Sequence, residues 1–313
     1  MKNHSENHTV SAFAPATVAN VAVGFDILGF SVMTLGDTVT VTRRNDKEIS
    51  IDNIQSAEPL PQDPQKNTAT VALHAMQQQL QLPYGFSVRL CKGIPLSSGL
   101  GGSAACAVAA VVAANALLDS PLAAHDLVPF ALQGERISSG TPHGDNVIPC
   151  LLGGIKLIQS MCPLAVIPLP LPTLFCVLVH PQLKIETRYA RQILPENFPL
   201  TTISQQMAHL AGFIAALYQK DLNLLRRSLN DVLIEPHRAT LVPHFYEVKA
   251  AALEQQALGC SLSGSGPTLF ALATDEKNAN NIQTAMRTCF QTHGIKTDAW
   301  ISSLTTQGAH VIL

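Results

Sequence analysis

Apolar positions along the 313-residue chain recur in two rhythms, and between them these assign most of the secondary structure. Alternation and short apolar runs predict strands over 9–13, 37–42, 86–91, 154–158, 174–179, 268–273, 296–302 and 310–313. Apolar residues spaced three and four apart predict helices over 68–79, 103–118, 122–133, 186–193, 203–218, 222–229, 243–257 and 276–292. Helices and strands mix without strict alternation, which favours an α+β fold over a doubly wound parallel sheet. One stretch follows neither rhythm: Pro163, Pro168, Pro170 and Pro172 resist helix and suit an extended connector. This places a domain boundary near Ser160, dividing the chain into 1–160 and 161–313.

Composition narrows the class. Apolar residues make up 47% of the chain, enough for a sizeable core. The 20 basic and 22 acidic groups nearly cancel and form no one-sided run, so no nucleic-acid surface is expected. The opening MKNHSENHTV lacks the apolar stretch of a signal peptide, and the run 104–118 is broken by Asn115 and falls short of the ~20 residues that cross a bilayer. A cytoplasmic protein with no membrane partner is the expectation, and a homodimer is the default oligomer. Seven widely spaced cysteines with no C-x-x-C pair argue against disulfides and structural zinc, and are expected to be reduced, buried thiols. Among eleven histidines, His4 and His8 form an i,i+4 pair with no third ligand nearby.

The segment SSGLGGSAACAVAA, 97–110, sets Gly99, Gly101 and Gly102 directly before an alanine-rich helix. Glycine reaches backbone angles closed to other residues, so such a loop can aim successive N–H groups at one point. A helix starting near Ser103 would add the positive end of its dipole there, which together make a phosphate site. A plain turn capping a buried helix has the same composition. No lysine follows the glycines, which excludes a Walker A loop. Gly99, Gly101 and Ala104 fit a loose dinucleotide fingerprint, with Asp119 at the acidic spacing. However, KGIPLSS separates strand from loop and Asp119 sits in a turn.

IPLSSGLGGSAA, 94–105, resembles the P-x-x-x-G-L-G-S-S-A-A phosphate loop of the GHMP small-molecule kinases. GCSLSGSGPTLFAL, 259–272, resembles the C-terminal motif of that family, and APATVANVAVGFDILGF, 14–30, resembles its N-terminal one. The resemblance implies a two-domain GHMP kinase-like fold, with an N-terminal ribosomal-S5-like domain and a C-terminal ferredoxin-like domain, and it implies ATP as donor with Mg²⁺. By the same likeness the ATP-binding positions are Pro95, Leu96, Ser97, Ser98, Gly99, Leu100, Gly101, Gly102, Ser103, Ala104 and Ala105, with Asn67 facing the adenosine. Ser103 and Glu135 fall at the metal positions. Two departures stand out: Gly102 replaces the first serine of the family pair, and Ser97 replaces a loop glycine.

Within the family, ATVAN with GFD, GERISSGTPHGDNVIPCLLGG, IETRYAR and IEPHRATLVPHF are most similar to the branch that phosphorylates L-homoserine in threonine biosynthesis. That likeness assigns Asn20, Asp26, Asp145, Asn146, Thr187, Arg191, Arg238 and Gly264 to the acceptor. The chemistry agrees, because an arginine fork meets a carboxylate bidentately, and such sheltered bonds are worth roughly 1.5–3 kcal/mol each. A carboxylate such as Asp26 is a weak base for an alcohol. Its expected role is to orient the hydroxyl while the proton leaves to phosphate or solvent. A sugar or isoprenoid alcohol as acceptor, or a non-enzymatic nucleotide-binding relative, are the alternatives.

Overall fold

The computed structural model describes residues 9–140 and 143–312, without the side chains of residues 138 and 139. The His4 and His8 pair lies outside the described residues. The strands are β1 (Thr9–Ala19), β2 (Leu28–Arg43), β3 (Ile49–Gln55), β4 (Phe86–Cys91), β5 (Ile155–Met161), β6 (Leu164–Pro168), β7 (Phe175–Pro181), β8 (Gly259–Leu262), β9 (Leu269–Ala273), β10 (Thr297–Ser303) and β11 (His310–Ile312). The α-helices are α1 (Thr68–Gln79), α2 (Gly102–Asn115), α3 (Val128–Ser139), α4 (Gly144–Leu152), α5 (Thr187–Gln192), α6 (Leu200–Gln219), α7 (Leu222–Ser228), α8 (Glu235–Arg238), α9 (Phe245–Glu254) and α10 (Glu276–Thr292).

Among the described residues the strands build two sheets. The first runs β11-β1-β2-β4-β3, and the long β2 also pairs through its first residues with β5, which pairs with β6; only β3 and β4 run parallel. The second is antiparallel throughout, in the order β10-β7-β9-β8. The fold is therefore mixed α and β in two units, as the sequence pattern implied. No described helix is long and apolar enough to cross a membrane.

Alternation along β7 explains how the halves are joined. Cys176 and Leu178 enter the large core shared with the first sheet, whereas Val177 and Val179 enter the second core with residues of α9 and α10. Both faces of this strand are buried, and for that reason its sequence reads as a continuous apolar run. Helix α2 is likewise buried nearly all round, which its alanines permit by letting α1, α3 and the first sheet approach closely.

Several elements differ from the sequence expectation. β1 and β2 extend well beyond 9–13 and 37–42, because Pro15 sits at a register shift that lets the strand pass through an apparent breaker. The proline-rich stretch is not wholly a connector: its first part is β6, paired with β5, so the chain leaves the first sheet after Pro168 rather than near Ser160. β3 is half polar and exposed, α4 carries Pro149 in its interior, and β8 is only four residues long, so none stood out by periodicity. The cysteines are free, but Cys91 and Cys162 are exposed rather than buried.

Short α8 is held by a buried ion pair. Glu235 accepts from Lys249 Nζ at 2.5 Å and from Ser261 Oγ at 2.6 Å, and its carboxyl is only 5% exposed. Burial raises the Glu235 pKa above the ordinary carboxylate range against the pull of Lys249. A carboxyl raised in this way binds more protons folded than unfolded, so stability falls as pH rises from about 4 through the folded value. Lys249→Met would strand the charge and is expected to cost about 3 kcal/mol near pH 8 and less near pH 5, measured by denaturant unfolding at both. An equal loss at both pH values would contradict this account.

Candidate active site

One cleft of about 570 Å³, lined by loops and helix ends from both units, gathers most residues singled out from the sequence. One wall is the 95–103 loop. Gly99 and Gly101 take φ +78° and +70°, and Gly101 is the N-cap of α2. A Cβ at Gly99 would lie 2.4 Å from the Ser263 carbonyl oxygen, and one at Gly101 2.2 Å from Thr17 Oγ1, so both packing and backbone demand glycine here. The first N–H groups of α2 open into the loop ahead of Ala105 N–H, which closes the turn on the Gly101 carbonyl at 2.9 Å.

The three resembling motifs meet at this point. Thr17 N–H donates to Leu100 O at 3.1 Å, Ser263 Oγ to Gly99 O at 2.8 Å and Thr268 N–H to Ser98 O at 3.2 Å. Asn20 Nδ2 donates to Gly264 O at 3.0 Å. The second glycine cluster thus braces the phosphate loop from the side. Asn20, Val21, Ala22 and Asp26 all take positive φ without being glycine, a concentration of backbone strain at a functional turn.

Pro95, Leu96, Ser97, Ser98, Gly99, Gly101, Gly102 and Ser103 line the cleft, as do Asn20, Asp26, Asn67, Glu135, Asp145, Asn146, Thr187, Arg191, Arg238 and Gly264. Leu100, Ala104 and Ala105 do not: their side chains are buried in the core, and only their backbone belongs to the loop. Asn67 is already engaged, accepting from Ala69 N–H as the N-cap of α1 and donating to Pro61 O. Asp119 is 94% exposed and pairs with Arg43 on the surface, which removes the dinucleotide fingerprint.

The acceptor end is ionic. Arg191 Nη2 lies 2.7 and 2.8 Å from the two oxygens of Asp26, and the Arg191 and Arg238 guanidinium carbons each sit 5.2 Å from the Phe25 ring centre. Arg238 is buried; its Nε and Nη1 donate to Ala190 O and Gly264 O at 3.0 Å, and burial with the nearby Arg191 charge lowers its pKa to about 10. His143 Nδ1 is 3.4 Å from Arg191 Nη2, and burial holds this imidazole below its ordinary range. Among the described residues, Arg191 Nε and Ser98 Oγ are buried without a hydrogen-bond partner.

Asp145, in the first turn of α4, is buried, and its Oδ1 has no partner among the described residues. Burial, then the charges of Asp26 and Glu135, push its pKa up to about 7. Glu135 and Asp145, both buried, line the same cleft as the Ser103 hydroxyl and form a hard oxygen donor set of the kind that fits Mg²⁺.

Sequence reasoning missed Lys92, which lies under the loop. Its ammonium pairs with Asp37, donates to Gly102 O at 2.8 Å and is 3.3 Å from Cys106 Sγ. Against the cost of burial, Cys106 and Asp37 hold the Lys92 ammonium above its ordinary range, while burial pushes the Cys106 thiol up to about 12. The signal was a lone lysine two residues before Ile94-Pro95. Phe25 and His143 were also missed, though both lie inside the quoted motifs.

The comparisons with known proteins agree with this geometry. A family model described as GHMP kinases N terminal domain matches residues 67–154, and one described as GHMP kinases C terminal matches 213–292. The homoserine kinase of Xylella fastidiosa (strain M12) is 46% identical over 308 residues, covering 97% of this chain and 94% of its own. That of Chlorobium phaeobacteroides (strain BS1) is 42% identical, covering 97% and 99%. The crystal structure of homoserine kinase from Cytophaga hutchinsonii superposes with TM-score 0.95 at 41% identity over the whole of both chains. The L. major mevalonate kinase, at 16% identity and TM-score 0.70, shares the fold.

Proposed function

The chain belongs to the homoserine kinases of the GHMP family, and from that membership we propose how its cleft transfers a phosphoryl group from ATP to the hydroxyl of L-homoserine. The product is O-phospho-L-homoserine, an intermediate of threonine biosynthesis. Such transfer asks the protein chiefly for in-line positioning and for neutralisation of charge on the phosphate oxygens.

The observation that carries the assignment is the Asp26 and Arg191 pair, which faces the phosphate loop across the cleft with Arg238 beside it. A zwitterionic amino acid can enter this pair without leaving either charge bare. Its carboxylate meets Arg238 and the open Nε of Arg191, and its ammonium meets Asp26, with Thr187 and Asn146 at the periphery. An uncharged sugar would leave the buried Arg238 without an anionic partner, at the cost of desolvating it.

The 97–103 loop and the N-terminus of α2 hold the phosphates, with the Ser98 hydroxyl as a further donor. Asn67 shapes the adenosine end through the N-cap it makes. Ser103 and Glu135, with Asp145 adjacent, would hold Mg²⁺, which when bound neutralises phosphate charge. Asp26, already committed to Arg191, orients the acceptor rather than taking its proton. The enzyme is proposed to work in the cytoplasm as a homodimer, which sedimentation would test.

An ADP-release assay with and without L-homoserine is the direct test, and turnover is expected only with it. Arg191→Ala is expected to raise the KM for homoserine by about 10- to 100-fold, the worth of one or two charge-assisted bonds, and to leave that for ATP within about threefold. Equal effects on both substrates would place Arg191 elsewhere.

A further inference from the structure

Outside the cleft, the start of α9 meets the end of α10. His244 is the N-cap of α9, Glu247 lies in its first turn, and His293 is the C-cap of α10. Glu247 is hydrogen-bonded on both oxygens, to His244 Nδ1 at 2.9 Å and to His293 Nε2 at 2.8 Å. The two imidazoles stack with centres 3.5 Å apart and planes 8° from parallel. One ligand atom from each residue lies within 4.8 Å of the others. None of the three lines the cleft.

We propose that His244, Glu247 and His293 form a binding site for a borderline divalent transition metal of the Zn²⁺ class, clamping the α9 N-terminus to the α10 C-terminus. The donor set carries the choice of metal. Two imidazole nitrogens and one carboxylate suit Zn²⁺ or Co²⁺, whereas Mg²⁺ prefers oxygen donors alone. Ligand atoms bound at about 2.0–2.1 Å around a tetrahedral ion stand roughly 3.3 Å apart. Each nitrogen stands 2.8–2.9 Å from a Glu247 oxygen, closer than this, so an ion enters by parting those pairs and turning one imidazole out of the stack. Both nitrogens already face the carboxylate, so the metal replaces the two hydrogen bonds once one ring has turned to bring both lone pairs to the ion. Three protein ligands leave a fourth position for water. The effect of such an ion is mechanical: it joins two helices that pack against the outer face of the second sheet, and it stabilises the folded state by mass action.

The test uses the full chain carrying His4→Gln and His8→Gln, so that the N-terminal histidines do not contribute. Titration with Zn²⁺ alone by calorimetry, and with Co²⁺ alone by visible absorption, is expected to saturate at one ion per chain and to raise Tm by a few degrees. Adding His293→Gln or Glu247→Gln is expected to weaken binding by at least about 10-fold and to abolish the rise in Tm, with homoserine phosphorylation unchanged as the check of folding. Absence of saturable binding, or equal binding by both variants, would overturn the proposal.

Discussion

Glu135→Gln is expected to lower kcat by about 10²- to 10³-fold while Tm holds or rises. Glu135 lies on α3, 5% exposed, and faces the cleft beside Asp145 and across from Ser103. Buried anionic charge at that place favours a cation near the transferring phosphoryl group, and glutamine keeps the shape while removing the charge. The stability effect runs the other way because Glu135 is one cause of the raised Asp145 pKa. A carboxyl raised to about 7 costs stability that grows from about pH 4 to pH 7, and removing its neighbour's charge relieves part of that cost. The gain in Tm should therefore be larger at pH 8 than at pH 5. Steady-state kinetics across a Mg²⁺ series, with thermal unfolding at both pH values, checks both arms. A kcat within about threefold of the parent at saturating Mg²⁺ would end the assignment.

Lys92→Met is expected to have the largest structural effect. The Lys92 and Asp37 side chains are 4% and 0% exposed, so the variant leaves a carboxylate deep in the protein with no counter-charge. Breaking a buried pair in this way costs about 3–5 kcal/mol, or roughly 10 °C in Tm for a chain of this size. The Gly102 carbonyl also loses its donor, so the first turn of α2 and the phosphate loop loosen together, and the KM for ATP should rise. Adding Asp37→Leu should recover only part of the stability, because Asp37 Oδ1 also accepts from the Gly93 and Ile94 amides at 2.9 and 3.0 Å. Full recovery would show that those amides find other partners; no recovery would mean that the ion pair is not the source of the loss.

The same lysine bears on Gly102, where the chain departs from the family serine. A Cβ there would come within 3.2 Å of Ile94 Cγ2 and 3.3 Å of Lys92 Nζ, and the residue is helical rather than left-handed. The position is crowded but not forbidden, so Ser103 supplies the hydroxyl on that side of the loop without a serine beside it.

Local signals were legible wherever one short segment contained both cause and effect. The bounds of α1 and α10 follow from Asn67 and Asp275, whose side chains cap the amides two or three residues on. The glycine loop could be read as an anion cradle because Gly99 and Gly101 have to take angles closed to other residues. Motif order and residue type were enough to indicate the family, the donor and the acceptor class.

Tertiary structure alone decided what pairs with what. Asp26 and Arg191 are 165 residues apart, and Lys92 and Asp37 are 55 apart. No periodicity carries such partners, because each half of the pair reads as an ordinary surface charge until the chain folds. The same holds for β6, β8 and α4, whose short or proline-bearing sequences are stabilised by neighbours rather than by propensity. The chain by itself determined which chemical groups are present and how each segment bends. Burial then decided which of those groups face one another, and burial depends on contacts that span the whole chain.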